Sequence, residues 1–143
     1  MEAIVIYESL TGNTRSTADA IAAELQRSSV SATVCPTTAI DHQALSDADL
    51  VIVGSWTDGM VLFGQRPGRA ARLQSLPVID GKKAAVFCSY AINPGRTLEK
   101  MDKIVTSRGG DVIGGMAIKR NGIAAGAAEM VDRLLGALDA AST

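Results

Sequence analysis

Five short runs of apolar, mostly β-branched residues, each followed by a segment with helical periodicity, leave this chain of 143 residues little choice of architecture. The runs are Ala3–Tyr7 (AIVIY), Ser31–Cys35 (SATVC), Asp49–Ser55 (DLVIVGS), Lys82–Tyr90 (KKAAVFCSY) and Asp111–Lys119 (DVIGGMAIK). Their centres are continuously apolar rather than alternating, as in strands covered on both faces. After the first run, Ala18, Ile21, Ala22 and Leu25 fall at i, i+3, i+4 and i+7, one stripe of a helix. Leu98, Met101, Ile104 and Val105 form a second stripe, and Ala127, Met130, Val131, Leu134, Leu135 and Leu138 a third. His42–Leu45 reads as a weak helical turn. Pro67 reads as the start of a short helix carrying Ala70, Leu73 and Leu76, because a missing N–H costs nothing in a first turn. Arg108–Gly110 (RGG) is placed to end a helix by a glycine cap, and Gly114–Gly115 predict a bulge or a closely approaching backbone.

Strands alternating with helices form right-handed βαβ units, so the predicted fold is α/β: a three-layer, doubly wound, five-stranded parallel sheet with helices on both faces. Ligands of such sheets bind outside the carboxyl ends of the strands, where the strand order reverses. That directs attention to the loops after Tyr7, after Ser55 and after Tyr90.

The bulk numbers agree with one globular domain over residues 1–143: 47% hydrophobic and 20% charged residues suit a packed core and argue against disorder. With 14 basic and 15 acidic residues the net charge is −1, and no bulk field attracts nucleic acid or an anionic membrane. The start, MEAIVIYES, shows no basic segment or cleavage site of a signal peptide, and the apolar runs fall far short of a membrane span. Cys35 and Cys88 lack metal-ligand spacing and read as small buried hydrophobes, and the sole histidine, His42, as a surface residue. The expectation is a cytoplasmic protein with no catalytic triad and no nucleophile–base pair.

The first of the three loops holds more polar groups than a turn needs. Ser9, Leu10, Thr11, Gly12, Asn13 and Thr14 join the first strand to the first helix. A helix N-terminus offers unpaired N–H groups and about half a positive charge, a ready anion site. Hydroxyls from Ser9, Thr11 and Thr14 and the Asn13 amide can complete a shell round phosphate oxygens, while Gly12 allows close approach or positive φ. Capping accounts for one such residue, not five. No Lys or Arg lies between Ser9 and Thr14, so neutral donors would hold the anion, and the loop is neither a Walker motif nor G-x-G-x-x-G.

The second loop, Gly54–Gly68, carries the only tryptophan of a chain that is just 3% aromatic. An indole at the ligand edge of a sheet can stack on a flat heterocycle; the alternative is a loop anchor packed on the domain. The third, Cys88–Arg96, places Ser89, Tyr90, Ala91 and Asn93 at the same edge, where hydroxyl, amide and backbone donors can read a heterocycle and Tyr90 can stack on it.

The stretch Val5-Ile6-Tyr7-Glu8-Ser9-Leu10-Thr11-Gly12-Asn13-Thr14-Arg15-Ser16-Thr17-Ala18, with Ile21, resembles the flavodoxin signature, and the likeness extends over nearly the whole chain. It implies a flavodoxin-like sheet in the order 2-1-3-4-5 and the short-chain branch of the family. It also implies FMN, its phosphate in the first loop and its ring between the second and third. Ser55, Trp56, Thr57, Asp58 and Gly59 would cover one face, with Trp56 as stacking partner. A peptide between Thr57 and Gly59 would turn its carbonyl toward the reduced ring. Ser89, Tyr90, Ala91 and Asn93 would read the pyrimidine edge, although the Gly-Asp sequence usual there is missing. The implied role is a one-electron carrier cycling through a semiquinone, a monomer or weak dimer serving a reductase and an acceptor protein.

The charge pattern departs from that family, whose members are strongly acidic around the flavin. Here the pI is about 5.8, and Arg66, Arg69, Arg72 and Arg96 lie on the cofactor side. They read either as a solvated face or as a site for an acidic partner or an anionic substrate such as a pyridine nucleotide. Two other functions therefore stay open: an FMN-dependent NAD(P)H:quinone or azo reductase or porphyrinogen oxidase-like enzyme, and an anion-binding module without flavin. A receiver domain is not supported, because no acidic pair ends the first strand and no Asp ends the third.

Overall fold

The computed structural model describes residues 1–58 and 65–141. The chain runs β1 (Glu2–Tyr7), α1 (Asn13–Arg27), β2 (Ser31–Pro36), α2 (His42–Asp47), β3 (Leu50–Asp58), β4 (Arg66–Pro67), α3 (Ala70–Gln74), β5 (Lys83–Tyr90), α4 (Thr97–Ser107), β6 (Asp111–Lys119) and α5 (Ile123–Ala141). The five long strands are all parallel and lie in the order β2-β1-β3-β5-β6. With the two-residue β4 set aside, this is the predicted 2-1-3-4-5 order.

Each inner strand is apolar on both sides because each side meets helices. Ile4, Ile6, Val51, Val53 and Val86 point into one core layer with Leu73, Met101 and Val105. Val5, Leu50, Ile52 and Phe87 point into the other with Ile21, Leu25, Met130 and Leu134. Full burial of such side chains stabilises by roughly 1.5–3 kcal/mol each, so the sheet's centre is the rigid base on which the loops stand. Cys35 and Cys88 lie within the first of these layers as free thiols, and His42 is exposed, both as expected.

The glycine signals correspond to structure. Gly109 has φ +93°; its N–H bonds to Thr106 O at 3.0 Å and that of Gly110 to Val105 O at 3.1 Å, the paired bonds of a Schellman ending for α4. Ile113 is the extra residue of a bulge, since Ala84 faces Val112 and Ala85 already faces Gly114.

Two boundaries differ from the sequence reading. The third strand does not stop at Ser55 but continues through Trp56 and Thr57 to Asp58. Trp56 pairs with Ser89 of β5, and Thr57 and Asp58 pair antiparallel with Pro67 and Arg66. Consequently Pro67 starts no helix. It lies in β4 at the sheet's margin, where a missing N–H is also tolerated, and α3 begins at Ala70 after Arg69 takes a left-handed turn at φ 49°. Leu76 lies beyond that helix but remains buried.

Candidate functional site

The strand order reverses between β1 and β3, and there the carboxyl ends of β1, β3 and β5 open into a cleft of about 170 Å³. Its walls are Leu10, Thr11, Asn13 and Thr14 from the first loop, Trp56 and Thr57 from the end of β3, and Ser89, Tyr90 and Ala91 from the end of β5. Arg120, after β6, completes it.

Helix α1 starts without a side-chain cap. Gly12 occupies the cap position with φ 94°, and the first turn contains no acidic residue. The polar side chains expected to surround a phosphate make hydrogen bonds within the protein. Ser9 Oγ accepts from Gly12 N at 3.1 Å, Asn13 Nδ2 donates to Thr11 Oγ1 at 3.2 Å, and Thr17 Oγ1 donates to Asn13 O at 2.8 Å. Thr14 Oγ1 and Ser89 Oγ share a buried hydrogen bond of 2.8 Å that ties the helix start to β5. The side chains shape the loop, which leaves the opening N–H groups of α1 and the helix dipole for an outside anion.

Trp56 is held from behind. A Cβ on Gly68 would lie 2.0 Å from the indole, so only glycine lets the ring lie flat on that backbone. Arg69 covers the ring, its guanidinium carbon 5.7 Å from the centroid, within cation–π range. The indole is therefore both the loop anchor and the cleft wall that the sequence presented as alternatives. Beside it Thr57 Oγ1 is buried, with the weakly hydrogen-bonding Cys88 thiol as its neighbour. Burial pushes the neighbouring Cys88 thiol up to about 11, an effect that the Thr57 hydroxyl only partly offsets.

The remaining candidates lie elsewhere. Ser55 is fully buried, its hydroxyl donating to Gly68 O at 2.7 Å, so it fixes the loop rather than facing the cleft. Asp58 faces Arg66 at 3.7 Å on the surface. Asn93 folds back on its own loop, Oδ1 accepting from Gly95 N at 2.8 Å. Ser9 and Gly12 line a second cavity on the far side of the loop. Gly59 lies outside the described residues, and with it the end of the Thr57–Gly59 peptide expected to turn. Arg120 was missed, although its place just past the fifth strand, at the ligand edge of the sheet, was a usable signal.

The arginines expected to form a basic face are paired. Arg69 Nη1 and Arg72 Nη1 each lie 3.3 Å from a different oxygen of Glu8, which is only 3% exposed. Arg66 meets Asp58, and Arg96 meets Glu99 at 2.9 Å.

The family model of the flavodoxin domain matches residues 4–115, which covers the signature loop and four of the five long strands. The chain belongs to the flavodoxin family. Members of that family bind FMN. Solved flavodoxins share the fold of this family member at low identity. A flavodoxin from Pseudomonas aeruginosa, solved as a cysteine-to-serine mutant, superposes with a TM-score of 0.74 at 16% identity, over 97% of this chain and 99% of that one. The Streptococcus pneumonia TIGR4 flavodoxin gives 0.67 at 22% identity, over 93% and 99%. A flavodoxin from the domain Archaea gives 0.67 at 20%, over 93% and 98%. No curated protein matches this chain in sequence. Among the described residues, no helix is long and apolar enough to cross a membrane.

Proposed function

We propose that this chain is an FMN-binding electron carrier of the cytoplasm that passes single electrons between a reductase and an acceptor protein. The observation that carries the reading is the convergence of three strand ends on one cleft, beside a helix start that no side chain caps. FMN, when bound, supplies the redox chemistry. This chain's part is to hold and tune it. The opening N–H groups of α1, with Thr11, Asn13 and Thr14, suit a phosphate held by neutral donors. Trp56, anchored on Gly68 and Arg69, offers a flat apolar wall, and Ser89, Tyr90 and Ala91 face it from β5. The buried Thr57 hydroxyl supports the fit: beyond its weak contact with the Cys88 thiol, its oxygen has lone-pair capacity that a donor on the bound ring could use.

The cleft walls carry hydroxyls, one amide and two aromatic rings, groups that hold and tune a flavin, and this supports the carrier reading. Photoreduction of the FMN-loaded protein tests this. A carrier gives two resolved one-electron steps and no steady oxidation of NAD(P)H in the presence of quinone. Sustained NAD(P)H turnover would replace the carrier by the reductase, and a protein that takes up no FMN would reject both.

A further inference from the structure

The loop between β1 and α1 is a partition with a cavity on each side. Leu10, Thr11, Asn13 and Thr14 face the cleft described above, whereas Ser9 and Gly12 face a second cavity of about 280 Å³. That cavity is rich in guanidinium groups: Arg15 from α1 and Arg69 and Arg72 from the α3 region line it, with Glu8 and Thr38.

Its electrostatics are those of a frame with capacity to spare. Glu8 is buried, and its two oxygens each take one arginine at 3.3 Å, with Thr37 Oγ1 also donating to Oε1. Those distances are long for charge-assisted bonds, and each guanidinium has five N–H donors, so among the described residues most of the donor capacity of Arg69 and Arg72 is unused. Arg15 is exposed and has no ion-pair partner among the described residues. Three guanidinium groups against one carboxylate leave two positive charges around a cavity that also presents the Ser9 and Thr38 hydroxyls.

We infer that this second cavity is a binding site for a phosphoryl group, separate from the phosphate position of the flavin. Planar guanidinium forks match the oxygens of a phosphate, and the two uncompensated charges match its dianion. Glu8 is the positioning residue: it holds Arg69 and Arg72 side by side, so that an incoming anion meets donors already aimed. Because Arg69 also covers Trp56, the site touches the wall of the first cleft through one side chain.

The test is a calorimetric titration of inorganic phosphate into FMN-saturated protein in a buffer free of phosphate and sulfate. Saturable binding at one site is expected, weakened at least about tenfold in Arg15→Gln and in Arg72→Gln, the scale of one charge-assisted hydrogen bond. Arg15→Gln alters an exposed side chain without an ion pair among the described residues, so a loss of binding there is not a loss of fold. Non-saturating heat, wild-type affinity in both variants, or phosphate binding that appears only in flavin-free protein and is displaced by FMN would each overturn the inference. If the protein takes up no FMN, the same titration on protein alone, with the same variants, decides the second site independently of the first.

Discussion

Thr14 Oγ1 and Ser89 Oγ, 75 residues apart in sequence, lie 2.8 Å apart in a buried hydrogen bond. One residue opens α1 and the other ends β5, so the bond fixes the distance between the first loop and the far wall of the cleft. Thr14→Val and Ser89→Ala each leave a buried hydroxyl unpaired and should cost about 1–3 kcal/mol in urea unfolding. The double variant should cost clearly less than the sum, because it leaves no orphan. Additive losses would mean that the two hydroxyls do not depend on each other.

Trp56→Ala removes both the cleft wall and the ring on which Gly68 and Arg69 rest. FMN affinity should fall by ~1–3 kcal/mol, the scale of stacking a planar ring on an aromatic one. Gly68→Ala keeps the indole but drives a methyl into it, and should lower both apoprotein stability, by about 1–3 kcal/mol, and FMN affinity. Unchanged FMN affinity in both variants, followed by flavin fluorescence, would place the ring elsewhere.

The two adjacent glycines of β6 should separate sharply. A Cβ on Gly115 would lie 2.8 Å from Val86 Cγ2 and 3.0 Å from Val86 O, so Gly115→Ala must push β5 and β6 apart, at about 1–3 kcal/mol. A Cβ on Gly114 would meet Leu134 Cδ2 at 3.4 Å, ordinary contact, and Gly114→Ala should stay close to wild type. Thermal unfolding of the two variants checks the contrast.

Cys88 makes stability depend on pH in a stated direction. Burial holds its thiol protonated up to about 11, against an ordinary value of 9.0. Above pH 9 the unfolded chain ionises this thiol and the folded chain does not, so the unfolded state binds fewer protons and stability falls as pH rises. The loss should run from about pH 9 to about pH 11 and reach roughly 2–3 kcal/mol. The measurement is the difference in slope between wild type and Cys88→Ala. Equal slopes would remove the thiol from the account.

Glu8→Gln keeps the shape of the side chain and removes the charge that holds Arg69 and Arg72. Because both arginines are partly exposed and keep water as a partner, the expected cost is about 1–3 kcal/mol rather than that of a fully buried broken pair. Urea unfolding measures it. A variant as stable as wild type would show that the pair contributes orientation without net stability.

The alternation of strands and helices and the first loop were legible because they depend on local pattern, whereas the strand order came only with the resemblance to flavodoxins. Continuous β-branched runs and i, i+3, i+4 stripes survive any tertiary context, and the crowd of hydroxyls ahead of α1 is visible within six consecutive residues, Ser9 to Thr14. What escaped depends on distant partners. Nothing in Trp56-Thr57-Asp58 says that β3 continues, because the continuation exists only where Arg66 and Pro67 return to pair with it. The same pairing moved Pro67 from a helix to an edge. Arg69 and Arg72 read as a basic face because Glu8, more than 60 residues earlier, cannot be seen as their partner from the sequence. Ser55 and Asn93, residue types suited to a binding site, turn their polar atoms toward their own loops.

The extension of β3 carries one more implication. Trp56 stands on the same nine-residue strand whose other end, Leu50–Val53, sits at the centre of the sheet. A wall built on that strand has no hinge of its own and is already in position before any ring arrives. On the proposed reading, a ring docking against it would require little ordering of this part of the protein. For molecules that exchange electrons, such stillness keeps the nuclear rearrangement accompanying each transfer small.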